Sequence, residues 1–362
     1  MTTDSGGPVA RIDELSRAGD VVHLLFELDP GAAEHRAAEL ARLELAQDSR
    51  GGAVRYLVAR GEGGVPVGLL PFYSACFPYD TAVMPPTLFE STAPPRDGEP
   101  FGLVGSPGGV VNQLVIAAHV DEQDATRTSR DLVDHAGRSD ISPPGRFLLI
   151  PNLTGKQAVR LGGRVADAAG VERKQQAVLP VVWSSFDDYI SWLPPQRRGV
   201  VRRERRKFLG APITVREELV IDMADELAPL LAQTERHHGR DVSVEQMEFY
   251  LVSIALHHGD GCVAFVAYRY GRPVAFSLVL GRGKEWDMRA WGCDYDVPRE
   301  ERLYFNMAFY EPITRAIDRG VELLDFGTGS LEAKVLRGCE TRELRTVLID
   351  RRHVSAGIGN RG

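Results

Sequence analysis

Two stretches of the chain carry the same order of apolar and polar positions. Residues 54–73 read VRYLVARGEGGVPVGLLPFY and residues 262–280 read CVAFVAYRYGRPVAFSLVL. Each is an apolar run, a glycine turn, Pro-Val and a second apolar run. The pattern predicts strands over 54–59, 66–73, 262–268 and 273–280, with Gly271-Arg272 as the second turn. A third pattern lies near the C-terminus. Residues 286–291, WDMRAW, alternate like a half-buried strand, and a polar loop follows over 294–302. Leu303, Met307, Tyr310, Ile313 and Ile317 then recur at helical spacing, and Gly320 supplies a stop. Residues 321–326 predict another strand, Gly327-Thr328-Gly329 end it, and residues 330–338 are helix-like. A helix crossing between two strands implies a parallel pair, with ligands at the strands' carboxyl ends.

Elsewhere the patterning predicts helices over 32–47, 124–136, 154–170, 222–234 and 244–256, and strands over 147–151 and 177–183. A connecting helix starts at Phe186 and is interrupted by Pro194-Pro195. Residues 85–109 are dense in Pro and Gly and predict loop. Their glycine-rich part, 102–109, fits neither the P-loop nor the dinucleotide fingerprint. The expected organisation is a flexible lead-in (1–20), an α/β lobe (21–185), a basic linker helix (186–210), a second α/β lobe (211–352) and a flexible tail (353–362).

Composition narrows the class. At 362 residues, with 43% hydrophobic and 26% charged residues, the chain reads as a globular protein of about two domains. No apolar run is long enough to cross a bilayer, and the N-terminus lacks the basic and apolar regions of a secretory signal. The expected location is therefore the cytoplasm. Cys76, Cys262, Cys293 and Cys339 lie far apart without a CxxC pair, which points to free thiols and no metal. The net charge of −7 argues against a surface coated for nucleic acid, so any RNA contact must be local. His237-His238 and His257-His258 read as cations at helix C-termini.

One segment has the opposite charge. Gln196–Phe208 packs seven basic residues around a narrow apolar stripe, Val201 and Phe208. Arg198, Arg202, Arg203, Arg205, Arg206 and Lys207 are candidates for binding phosphate, either of a tRNA or of another anion. The alternative is a solvated linker whose arginines pair with Glu217, Glu218 and Asp222.

The order of elements over 286–346 resembles the C-terminal half of the GNAT acyltransferase fold. Tyr304-Phe305, Phe309-Tyr310, Ile313, Ala316-Ile317 with Gly320, the aromatic-Gly-x-Gly turn and Lys334-x-x-Arg337-Gly338 resemble the FemAB-related branch, which includes the peptidoglycan biosynthesis or recognition proteins. The resemblance implies two tandem GNAT-like lobes, each a mixed α/β sheet flanked by helices. It also implies an amide-forming transferase whose donor is aminoacyl-tRNA, with no resident cofactor. An acyl-CoA donor is the alternative, and a non-catalytic peptide- or sugar-binding protein is a second. GNAT enzymes that use coenzyme A carry a glycine loop before the crossover helix, whose N–H groups hold pyrophosphate. Residues 294–302, DYDVPREER, have no glycine and four carboxylates, which favours the tRNA donor.

In that fold the acyl group lies between two splayed strands, here expected over 285–292 and 321–326. Asp325, Lys334 and Tyr304 are the expected catalytic residues: a carboxylate at a strand end, a cation for the oxyanion and a proton donor. Trp291, Arg289, Asp287, Arg337 and Tyr310 are the expected substrate-binding residues. Four of them have a plainer reading. Asp325 can cap a helix, Lys334 can pair with Glu332 or Glu340, and both tyrosines can belong to the core.

Overall fold

The computed structural model describes residues 9–48, 53–73, 101–105, 111–139, 146–298 and 301–355. The chain divides into two compact units, residues 1–175 with 342–362, and residues 176–341. The division falls before the expected end of the first lobe at 185, and the C-terminal segment returns to the first unit. The architecture is mixed α/β.

In the first unit the strand order is β1 (Arg11–Leu15), β2 (Val54–Arg60), β3 (Pro66–Tyr73), β4 (Phe101–Val104), β6 (Phe147–Thr154) and β13 (Glu340–Asp350, whose residues from Arg342 belong here). The short β5 (Val115–Ile116) pairs with β3. Only β4 and β6 run parallel; the other neighbours are antiparallel. The predicted hairpin is β2–β3. The chain from Arg11 to Leu15 is no loose lead-in, because it pairs with all of 56–60 of β2. β4 lies where loop was expected, its FGLV run fully buried; residues 106–109 of the glycine-rich stretch and Cys76 lie outside the described residues. Helices α1 (Val22–Leu28), α2 (Ala33–Asp48), α3 (Glu122–Arg138) and α4 (Gly155–Leu161) flank this sheet. Asp121 caps α3 by accepting from the Asp124 N–H, and Thr154 with Gln157 forms a capping box on α4.

In the second unit the order is β7 (Gly170–Pro180, from Gln176 on), β12 (Leu323–Asp325), β11 (Glu285–Cys293), β10 (Arg272–Arg282), β9 (Cys262–Arg269) and β8 (Ile213–Leu219). The β9–β10 hairpin turns at Tyr270 and Gly271, both at positive φ, as a two-residue turn of this twist requires. Along β10, Ala275 and Val279 join one apolar cluster while Phe276, Leu278 and Leu280 join another. Helices cover both faces, so the strand is apolar on both sides and its sequence does not alternate. Helices α7 (Val220–His237) and α8 (Val244–His258) pack on one face through Leu227, Leu231, Leu251 and Ile254. Gly292 lets β11 approach α7: a Cβ there would stand 2.8 Å from the Leu231 nitrogen and 2.5 Å from the Phe276 ring. The connecting helices are α5 (Phe186–Trp192) and α6 (Pro195–Leu209), separated at the two prolines.

The crossover helix is not uniform. α9 (Leu303–Phe305) opens into a π-helical turn, Asn306–Tyr310, before α10 (Glu311–Asp318). Across the π turn the Glu311 N–H bonds the Asn306 carbonyl, and Pro312 offers no N–H, so the Met307 carbonyl needs another donor. The buried Ser277 hydroxyl of β10 donates to it. β12 and α11 (Leu331–Val335) follow, and α12 (Arg351–Ser355) closes the described chain.

Candidate active site

The site begins where β11 and β12 stop pairing. Their parallel ladder runs only from Glu285↔Leu323 to Asp287↔Asp325. Beyond it the two strands diverge, and β11 continues to Cys293 against β10 alone. A notch of about 200 Å³ opens between them. Met288, Arg289, Ala290 and Trp291 form its β11 side, Phe326, Gly329, Ser330 and Lys334 its β12 side, and Ala308 and Phe309 of the π turn line it as well. The widened turn thus sits under the slot, a placement common for π bulges at functional sites.

A second cavity, of about 410 Å³, adjoins it. Trp291, Tyr304 and Ser330 line both. The rest of its wall includes Cys293, Asp294, Tyr295, Val297, Leu303 and Phe305, with His237 and His238 at the end of α7. The histidines were read from the sequence only as helix-end cations. Nothing in 220–238 signals that α7 ends beside β11; only the packing across Gly292 brings them there. His237 stacks on Tyr295, ring centroids 4.3 Å apart.

Lys334 is the buried cation in the notch wall. It is 8% exposed, and its Nζ donates to the carbonyls of Phe326 (2.5 Å) and Gly327 (3.3 Å). Burial lowers its pKa to about 8, against an upward pull from Cys339 and Asp325. It pairs with neither Glu332 nor Glu340. Tyr304 stands edge-on to Trp291 at 5.0 Å and bonds Ser330 through its hydroxyl; burial holds that hydroxyl above the usual tyrosine range.

Other expected site residues take different places. Asp325 is buried and accepts from Gln176 Nε2 at 2.6 Å and from the Gly327 N–H at 2.9 Å. It braces the turn after β12 and is absent from both cavity walls. Asp287 is buried on β11 in register with it. Tyr310 and Arg337 lie inside the core. The Tyr310 hydroxyl donates to Glu204 Oε2 at 2.5 Å, and Arg337 Nη2 reaches the same oxygen at 3.4 Å. The Arg337 guanidinium lies 3.7 Å above the Phe305 ring and donates to the Ala333 carbonyl. Asp287, Tyr310 and Arg337 therefore contribute no lining to either cavity. A four-residue motif sets Lys334 and Arg337 close together in the chain but does not reveal which one faces the slot.

The basic helix α6 buries Val201 and Phe208 as its stripe predicts, with Glu204 between them. Arg205 pairs with Glu311 at 3.2 Å, and Arg198 donates to the Leu193 carbonyl. Arg202, Arg203, Arg206 and Lys207 are exposed. Glu217 is engaged by Arg319 and Glu218 by Tyr268, so the pairing with Glu217 and Glu218 suggested as the alternative does not form. Among the described residues no group of three or more His, Cys, Asp or Glu is placed to hold a metal ion.

The strand order, the crossover helix and the notch define a GNAT-like fold. A family model described as FemAB-like, peptidoglycan biosynthesis/recognition, matches residues 172–352, half of the sequence, and the chain belongs to this family. FemX is similar in structure, with a TM-score of 0.61 at 10% identity over 96% of this chain and 100% of FemX. L-PGS from Bacillus licheniformis gives 0.53 at 10% identity, over 99% and 100% of the two chains. A tandem GNAT protein from the clavulanic acid biosynthesis pathway gives 0.50 at 14%, over 94% and 99%. At these identities the likeness is one of fold. No curated protein matches the sequence.

Proposed function

We propose that the protein is an acyltransferase that forms an amide, passing an aminoacyl group from aminoacyl-tRNA to the amine of a small or peptide-like acceptor. One observation carries the reading: β11 and β12 part after three residue pairs and leave a notch with a buried lysine in its wall. The acyl carbonyl lies in that notch. The Lys334 ammonium, with two donors spent on backbone carbonyls, offers its remaining donor to the oxyanion that develops as nitrogen attacks. Tyr304 protonates the leaving oxygen and regains a proton from the attacking nitrogen. Membership of the FemAB-like family supports the reaction class. The exposed cations of α6 support a polyanionic donor, as does the acidic, glycine-free loop where coenzyme A pyrophosphate would sit. No resident cofactor is invoked.

The test is transfer to a mixed amine pool from charged tRNA or from acyl-CoA, with and without ribonuclease. Ribonuclease should abolish turnover. Turnover that resists ribonuclease and needs acyl-CoA would replace the donor; none with either donor would leave a binding protein. Lys334→Met should lower kcat by roughly 100- to 1,000-fold, the usual effect of losing an oxyanion donor. Unchanged turnover in that variant would remove Lys334 from the mechanism.

A further inference from the structure

The notch is too small for more than the reacting carbonyl and its neighbours, yet a cavity twice its size adjoins it across Trp291, Tyr304 and Ser330. About 410 Å³ lies within the range of roughly 300 to 1,000 Å³ that holds small ligands. Its exposed rim is mixed: His237, His238, Arg302 and Ser330 with Tyr295 and Pro298. Its buried and half-buried wall is mainly apolar, with Cys293, Leu303, Trp291, Val297 and Phe305 and a single carboxylate, Asp294. One Asp294 oxygen already accepts from the Asp296 N–H. Burial pushes the Cys293 thiol up to about 12, so it adds no charge.

The rings form a continuous edge. Trp291, Tyr304 and Phe305 follow one another at centroid separations of 5.0 Å. Behind them the Arg337 guanidinium lies over the Phe305 ring. With a cation already on that ring, the edge gains less from a second cation and suits a neutral apolar or aromatic body. An acceptor amine arrives as an ammonium, which such a wall disfavours. An apolar aminoacyl side chain carries no such charge, and it is attached one carbon from the carbonyl that the notch holds.

We propose that this cavity receives the side chain of the transferred acyl group, and that the group is bulky and apolar, aromatic by preference. The proposal rests on the reading that the notch holds the acyl carbonyl. A methyl group there would leave the cavity almost empty, and small side chains would lose the burial that selects for them.

Two measurements keep this claim separate from the transferase reading. Calorimetric titration with phenylalanine methyl ester and alanine methyl ester needs no turnover. The phenylalanine ester should bind at least about tenfold more tightly. In Val297→Trp, and in His238→Trp at the rim, that preference should collapse. Equal binding of the two esters, or a preference unmoved by either substitution, overturns the proposal. In the transfer assay, phenylalanyl-tRNA should exceed alanyl-tRNA in kcat/KM by a similar factor. Equal or better transfer of alanine overturns the proposal and leaves the transferase standing. Absence of transfer from every donor ends the transferase reading, and the ester titration then decides the cavity alone.

Discussion

Lys334 shows what one buried cation does to a fold. Its ordinary pKa of 10.5 falls to about 8 through burial. A lowered lysine pKa means that the unfolded chain binds more protons than the folded one between pH 8 and 10.5. Stability therefore rises with pH across that window. The gain is on the order of 3 kcal/mol at full shift. Urea unfolding at pH 7.5 and 10 should show this rise in the native protein and lose it in Lys334→Met. A rise of equal size in the variant would assign it to other groups. Glu204 is the complementary case. It is a buried acid in a basic helix, and it holds both Tyr310 and Arg337. Its position between Val201 and Phe208 on the apolar stripe is visible in the sequence; its partners, more than 100 residues away, are not.

At the scale of elements, α6 divides its charges by helical position. Arg198 and Arg205, seven apart, turn back to the protein, and Arg205 spends its charge on Glu311. Arg202, Arg203, Arg206 and Lys207 face solvent. Like charges so close repel one another, and a bound polyanion relieves the strain. Reversing the exposed pair, Arg202→Glu with Arg206→Glu, should weaken tRNA binding steeply at low salt. Each lost phosphate contact should reduce the slope of log K against log salt by about 0.7 to 0.9. Filter binding across a salt series measures this; an unchanged slope would make α6 a solvated helix. The crossover helix carries a second lesson of this scale. Its apolar spacing predicts a continuous helix, and Pro312 is visible at once. That the freed carbonyl would find Ser277, on a strand thirty residues earlier, depends on packing.

At the scale of the molecule, the chain's last strand belongs to its first unit. β13 pairs with β6 from Leu344↔Thr154 to Asp350↔Phe147, and Leu348, Ile349 and Val354 enter the first unit's core. Asp350 accepts from both Arg352 and Arg146, which hold its carboxyl far below the usual range. A chain ended at Thr341 loses all of this and leaves β6 with an open edge. Hydrogen exchange should show the amides of 147–154 losing protection in that truncation. Retained protection there would mean that the first unit does not need its returning strand. Among the described residues no helix is long and apolar enough to cross a membrane.

The local pattern alone determined the two hairpins, the crossover unit before the last turn and the basic helix with its buried stripe. These depend on side-chain period, turn residues and short motifs, which act between near neighbours. The pattern missed β1, β4, β8 and β13, and Asp325, Asp287, Tyr310 and Arg337 line neither cavity. Strands such as ITVREEL and ETRELRT are rich in charge, show no clean alternation and become strands only through a partner. Only the tertiary structure decided which side of each element meets the notch, and that α7 delivers two histidines to the cavity beside it. Those outcomes follow from contacts between residues far apart in the chain, and no window of sequence contains both members of such a pair.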